Sequence, residues 1–218
     1  MPILTENTGK IFERAVCLLY NTPYSGKYKY DIESAEKLVS RLTKLKTLFP
    51  ECSHSAKSGA RYDFTSLDGS QFLSAKTTKK DGKVAPQVIG QAKPEKFCQL
   101  LGIQFTEVSN LKKDIQENIT KILPIMFEYT FDCPIVYYNE KKNTIKYVKT
   151  KSPINWAQYE YTWTKKPEVW NGSSTVKIGS TAIAEFQFHS KSRTNMAIRW
   201  YFENILELFV DHLDVELL

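Results

Sequence analysis

Asp63, Ser74 and Lys76 stand in the stretch RYDFTSLDGSQFLSAKTTKK, residues 61–80, where two apolar-flanked runs meet at Asp68 and Gly69. An Asp-Gly pair between alternating runs signals a tight hairpin turn. With Asp68 and Gly69 at its centre, Leu67 faces Ser70, Phe64 faces Leu73 and Asp63 faces Ser74 across the ladder. Lys76 lies two residues beyond Ser74, so the strand period sets it on the same face, diagonal to Asp63. A carboxylate, a hydroxyl and an ammonium converge, while Phe64, Leu73 and Ala75 take the opposite face. Phosphodiester hydrolysis uses such a group: a carboxylate and further oxygens to hold Mg²⁺, and a lysine to orient water or meet developing charge. One firm carboxylate is a sparse set, tolerable because Mg²⁺ keeps several of its waters. The same spacing also describes an exposed diagonal ion pair, worth only about 0.5 kcal/mol.

These residues must be carried by a sizeable core. The 218 residues are 42% hydrophobic and 25% charged, which predicts one globular domain over 1–218, with 106–175 as a candidate subdomain or insertion. Thirty Lys and Arg against 24 Asp and Glu give a net charge of +6, which favours an acidic partner such as nucleic acid without establishing one. Cys17, Cys52, Cys98 and Cys133 form no CxxC pair, so a zinc site and a dense disulfide framework are both disfavoured and a reducing cytoplasm is expected. No apolar run approaches the roughly 20 residues of a membrane helix, and the N-terminal stretch has no long apolar core, so a soluble, unsecreted protein is expected.

The pattern along the chain is mixed. GKIFERAVCLLYN reads as a helix opened by Thr8 and closed by Asn21, with Glu13 beside its apolar stripe. DIESAEKLVSRLTKLKTLF reads as a second, capped by Asp31, and CSHSAKSG as a break after it. A short helix is expected over 94–105 and a longer one over 108–130, with Ser109 or Asn110 as N-cap and Pro124 ending or kinking it. CPIVYYN and TIKYVKT form a second hairpin, residues 152–174 are irregular and aromatic-rich, TAIAEFQFHS alternates as a strand, and RWYFENILELFVDHLDVEL reads as a C-terminal helix. The sum is an α/β protein with a mixed central β-sheet flanked by helices.

YDF, then SAKT eleven residues on, resembles the D…(D/E)-x-K core of the PD-(D/E)XK nuclease superfamily, to which most type II restriction endonucleases belong. Residues 57–91 and 179–209 look more narrowly like short-site restriction enzymes with a neutral residue in place of the second acid. The resemblance implies a restriction-endonuclease-like core, Mg²⁺ as cofactor, Asp63 and Lys76 as catalytic residues, and a helix glutamate matched by Glu13 that completes the site directly or through water. Ser74 departs from the pattern: it occupies the (D/E) position without a charge, which leaves the number of metal ions open.

Candidates for holding DNA follow. Lys79, Lys80 and Lys83 lie just beyond the Lys76 run and suit phosphates, and Gln87 and Gln91 could read a base edge. Gln187 and His189 point to one side of their strand with Glu185, and Lys191, Arg193 and Asn195 follow in a loop, the best specificity segment of the chain. A solvated loop would look similar. Trp156, Tyr159, Tyr161, Trp163 and Trp170 could clamp a strand by stacking, or belong to the core and rim of a sheet.

The expectation is therefore a Mg²⁺-dependent, sequence-specific endonuclease of double-stranded DNA that leaves 5′-phosphates, acting as monomer or homodimer beside a separate cognate DNA methyltransferase. Two other classes share the same residues: a structure-selective repair nuclease, and a non-catalytic nucleic-acid-binding protein in which Ser74 marks a lost metal site.

Overall fold

In the computed structural model, residues 5–56, 60–79, 82–189 and 195–218 are described, and the chain divides into two compact units. The first comprises Met1–Gly82, Cys133–Lys151 and Leu213–Leu218, and the second Lys83–Asp132 and Ser152–His212. Residues 106–175 are thus shared, with 133–151 in the first unit and the rest in the second.

The first unit is a mixed sheet with helices packed on it. Its strands are β1 (Cys52–His54), β2 (Phe64–Ser66), β3 (Phe72–Thr78), β5 (Ile135–Asn139), β6 (Thr144–Thr150) and β11 (Leu213–Leu217), and β4 falls in the second unit. They are ordered β1-β2-β3-β5-β6-β11, and only β3 and β5 run parallel. Helix α1 (Thr5–Leu19) supplies Ile11, Phe12, Ala15, Val16 and Leu19 to a core completed by Ala35, Leu38, Leu42, Leu45, Phe64, Leu73 and Val136. Asn21 ends α1 at φ 51°, with Thr22 N–H returning to Cys17 O and Asn21 N–H to Leu18 O, the paired bonds of a Schellman stop.

Two expectations change here. Residues 31–49 are not one helix: α2 (Ile32–Val39), capped by Asp31 Oδ1 on the Glu33 N–H, gives way to turns before a single helical turn, α3 (Leu45–Leu48). Thr43 and Thr47 hydroxyls take the carbonyls of Ser40 and Lys44, while the kinked path still buries Leu42 and Leu45. Residues 52–54, read as a break, form β1 and pair with β2, His54 opposite Phe64.

The hairpin has the expected register, Phe64 opposite Leu73, but its turn is one position earlier. Gly69 N–H bonds Ser66 O, so Leu67 and Asp68 are the central residues and Gly69 takes the left-handed conformation at φ 74°. Asp68 still fastens the turn, through Oδ1 to the N–H of Ser70 and the hydroxyl of Ser66.

The second unit holds an antiparallel sheet ordered β4-β10-β9-β8-β7: β4 (Lys83–Val84), β7 (Tyr161–Trp163), β8 (Ser173–Ile178), β9 (Thr181–Phe188) and β10 (Met196–Tyr201). Around it are α4 (Pro94–Leu101), α5 (Val108–Glu117), α6 (Ile119–Phe131) and α7 (Phe202–Leu208). Pro124 sits inside α6, and the break falls at Asn118, whose side chain and N–H both engage Asp114 O. The helix expected over 199–217 is instead the end of β10, then α7 and β11: Arg199 and Trp200 pair with Glu185 and Ala184 of β9, so the helix starts only at Phe202. Of the aromatic residues of 152–174, Trp156 and Trp170 are core, Trp156 stacking on Trp200 and Trp170 packing against Phe186 and Phe188, while Tyr159, Tyr161 and Trp163 are half-buried.

Candidate active site

The backbone of Asp63 is held from both neighbours, its N–H on Leu73 O and its carbonyl on Ser55 N–H. Its carboxylate reaches across to β3: Oδ2 accepts the Ala75 N–H at 2.8 Å and lies 3.8 Å from Lys76 Nζ. Both side chains are about one-fifth exposed, so the pair opens to solvent. Ser74, between them in sequence, is fully buried, and its N–H bonds Pro134 O on the β5 side. The strands therefore bring Asp63 and Lys76 together as the spacing predicts.

Glu13 arrives from α1, nearly buried, and collects four hydrogen bonds. Lys10 Nζ reaches both of its oxygens (3.2 and 3.0 Å), while Tyr24 Oη and His54 Nε2 each lie 3.3 Å from Oε2. His54 is fixed in turn: Ser25 N–H donates to Nδ1 at 2.8 Å, and the ring stacks on Tyr24 and packs against Phe64. Lys10, Tyr24 and His54 were not among the expected site residues. Lys10 was legible as an i,i+3 partner of Glu13 on one helix; His54 was hidden in a strand of small polar residues, and nothing local marks Tyr24.

The two carboxylates feel each other. Burial pushes the Asp63 carboxyl above its ordinary range, the Lys76 ammonium pulls it back, and the charge of Glu13 raises it further. Burial also raises Glu13, but the hydrogen bond from His54 and the Lys10 ammonium outweigh it and hold that carboxyl low. The result is two acids and two ammoniums in one neighbourhood, with Asp63 the more basic oxygen donor.

A divalent cation is tested by its donors. Among the described residues no group of three His, Cys, Asp or Glu side chains converges on one point. Every hydrogen bond and ion pair of the Asp63 side chain falls on Oδ2, so Oδ1 faces no protein donor among the described residues. A carboxylate oxygen raised in basicity and partly open to solvent suits a hard cation that keeps much of its hydration. It does not suit a stripped, thiolate- or imidazole-bound metal.

Of the other expected positions, Lys79 lies at the end of β3, and Lys80, Lys191 and Arg193 fall outside the described residues. Lys83 is paired with buried Glu185, which also draws in Arg199 at 3.5 Å. Arg199 donates to Gln187 Oε1 at 3.0 Å. Gln87 is buried, its N–H on Tyr129 O, whereas Gln91 is exposed; His189 and Asn195 are half-buried and line one cavity in the second unit.

Comparison with known proteins gives one informative likeness. The chain is 45% identical over 220 residues to the type II restriction enzyme CviAII of Paramecium bursaria Chlorella virus 1, an alignment covering 99% of this chain and 64% of that enzyme. The chain thus spans a little under two thirds of the length of its relative. No protein family profile and no solved structure matches it. No helix among the described residues is long and apolar enough to cross a membrane.

Proposed function

We propose that this chain is a site-specific endonuclease of double-stranded DNA, of the type II restriction kind and built on a PD-(D/E)XK core. The observation that carries the reading is the Asp63–Lys76 pair: an acid and an ammonium 3.8 Å apart on paired strands, with a second acid, Glu13, bearing on the first. Likeness along almost the whole chain to a restriction enzyme supports the same reaction.

Asp63, with the Ser74 hydroxyl, would hold Mg²⁺, and Glu13 would act on the same site through water. When bound, the cation would polarise the scissile phosphate and lower the pKa of a water. Lys76 orients the attacking water for in-line approach and meets the charge that grows on the phosphoryl oxygens, where a fixed donor is most effective. Attack at phosphorus expels the 3′-oxygen and leaves 5′-phosphate and 3′-hydroxyl ends. Cutting thus belongs to the first unit. Reading is assigned mainly to the second, with Gln91, Gln187, His189 and Asn195 as base-reading candidates and Lys79 of the first unit on phosphate. A separate methyltransferase protects host DNA, and the nuclease works in the cytoplasm as monomer or homodimer.

Digestion of unmethylated plasmid and phage DNA with Mg²⁺, beside EDTA and Lys76→Ala controls, tests the reading. Fragments whose sequenced ends share one short motif, absent from both controls, are expected. Cleavage confined to flaps, junctions or mismatches would point to a repair nuclease, and DNA binding without cleavage would end the nuclease reading.

A further inference from the structure

In the second unit an arginine that the sequence did not single out is held in place by a buried acid. Phe186, Phe188, Ile198 and Trp200 are buried on one face of β9 and β10, and the alternate residues Glu185, Gln187, Arg199 and Tyr201 share the other. Arg199 stands opposite Glu185 and diagonal to Gln187, which pairs with Ala197. Its Nη1 donates to Gln187 Oε1 at 3.0 Å and lies 3.5 Å from Glu185 Oε1. Glu185 is 5% exposed, and its second oxygen accepts from the Lys83 ammonium on β4, so the carboxylate is paired on both sides. A buried ion cluster is a poor source of stability, since apolar side chains of similar volume do as well or better. What the cluster supplies is orientation: it fixes the plane of a guanidinium that would otherwise swing freely.

The guanidinium is held through one nitrogen only. Nε and Nη2 of Arg199 and Nε2 of Gln187 have no partner among the described residues, none of the three is buried, and the arginine side chain is 31% exposed. Because the Gln187 carbonyl oxygen accepts from the arginine, its amide turns N–H groups outward. The open edge is therefore made of donors alone: the planar Nε–Nη2 fork with an amide beside it. Such a fork matches two acceptors side by side on a flat edge, as O6 and N7 of guanine stand in the major groove. A phosphate also offers oxygens, but the Glu185 carboxylate, 3.5 Å from the guanidinium, repels a second anion and leaves a neutral base edge undisturbed. We propose that Arg199, oriented by Glu185 and Gln187, reads a guanine of the recognition site through O6 and N7. Duplex DNA as the partner rests on the function proposed above; the donor edge and its fixed orientation do not.

The test defines the recognised sequence by binding, so that it does not depend on cutting. Duplexes bound by the wild-type protein in Ca²⁺ are selected from a random pool, and each guanine of the selected sequence is replaced in turn by 7-deazaguanine, which lacks the N7 acceptor and keeps O6. At one guanine, or one in each half-site, binding in a gel shift should weaken about fivefold or more. Arg199→Ala should bind the unmodified duplex at least that much more weakly. It should be indifferent, within about twofold, to 7-deazaguanine at that position, while feeling the other replacements as the wild type does. Arg199→Lys keeps a cation without the fork and should show the same indifference. Glu185→Gln removes the charge that holds Arg199 and should blunt the loss at that guanine alone, with circular dichroism and melting as checks on the fold. A selected sequence without a G·C pair, no loss at any guanine, or a loss that both Arg199 variants retain overturns the assignment. Weakening of every duplex alike by Arg199→Ala, with a shallower salt dependence, marks a phosphate contact and overturns it too. So does selection that yields no preferred sequence, whether or not DNA is cut. A sequence read through Arg199 but never cut with Mg²⁺ supports the proposal and removes the nuclease reading alone.

Discussion

His54 Nε2 lies 3.3 Å from Glu13 Oε2 while Nδ1 of the same ring accepts the Ser25 N–H at 2.8 Å. A nitrogen that accepts carries no proton, so this ring is neutral with its hydrogen on Nε2, and it serves Glu13 as a donor and not as a cation. The negative charge of Glu13 is balanced by Lys10 instead. Nitrogen-15 NMR of the histidines should show this tautomer for His54; a proton on Nδ1 would contradict the arrangement.

Removing the ring should be expensive. His54→Ala empties space between Tyr24 and Phe64 and strips partners from both Ser25 and Glu13. Cavity and unpaired-group costs together predict a loss of about 2–4 kcal/mol in denaturant unfolding. A loss under about 1 kcal/mol would mean that water or a neighbour replaces it.

The titration of Asp63 follows from burial opposed by Lys76 and reinforced by Glu13. In cation-free protein its carboxyl, followed by carbon-13 NMR, should titrate above 3.8. Glu13→Gln removes a like charge and should lower the midpoint, and Lys76→Met removes the opposing ammonium and should raise it. Since the folded value lies above the unfolded one, ionising Asp63 costs stability, and this group's contribution improves as pH falls through its folded value toward the unfolded one. A midpoint at or below 3.8 would refute the balance.

Ser74 stands where the resemblance leads one to expect an acid. If, as proposed, its hydroxyl is a weak oxygen ligand, Ser74→Ala should raise the Mg²⁺ needed for half-maximal cleavage by about tenfold, the scale of lost supporting contacts in metal sites. Unfolding should change by about 1 kcal/mol at most, the worth of one buried hydrogen bond. An unaltered Mg²⁺ requirement would take Ser74 out of the site.

The hairpin and the Asp63–Lys76 pairing were legible because a period of two and an Asp-Gly turn are local signals, and the register came out as read even though the turn shifted by one residue. Glu13 could be named as a helix acid, but its surroundings could not, since Tyr24 and His54 reach it through tertiary packing. In the C-terminal segment the helical spacing of Phe202, Ile205 and Leu206 is real and gives α7, but its two ends pair with β9 and β6 as strands, partners that no local pattern shows. The partner of Lys83, Glu185, lies 102 residues away in sequence, so their pairing is a product of the fold that no local pattern shows.

That buried carboxylate gives a further prediction. Glu185 holds Lys83 and Arg199, each only partly exposed. Glu185→Ala should cost about 2 kcal/mol, less than for a fully buried pair, because both cations can regain water. An unchanged unfolding free energy would show the cluster to be idle.

The most direct measurement is single-turnover cleavage of one mapped duplex by wild type, Asp63→Asn and Lys76→Ala, with binding of the same duplex measured in Ca²⁺. Loss of a donor to the transition state predicts at least about a hundredfold slower cutting by Lys76→Ala. Asp63→Asn should be at least as slow, and both should bind within a few-fold of wild type. Cleavage by Lys76→Ala at the wild-type rate would contradict the account and leave the 3.8 Å pair as an ordinary contact between two strands.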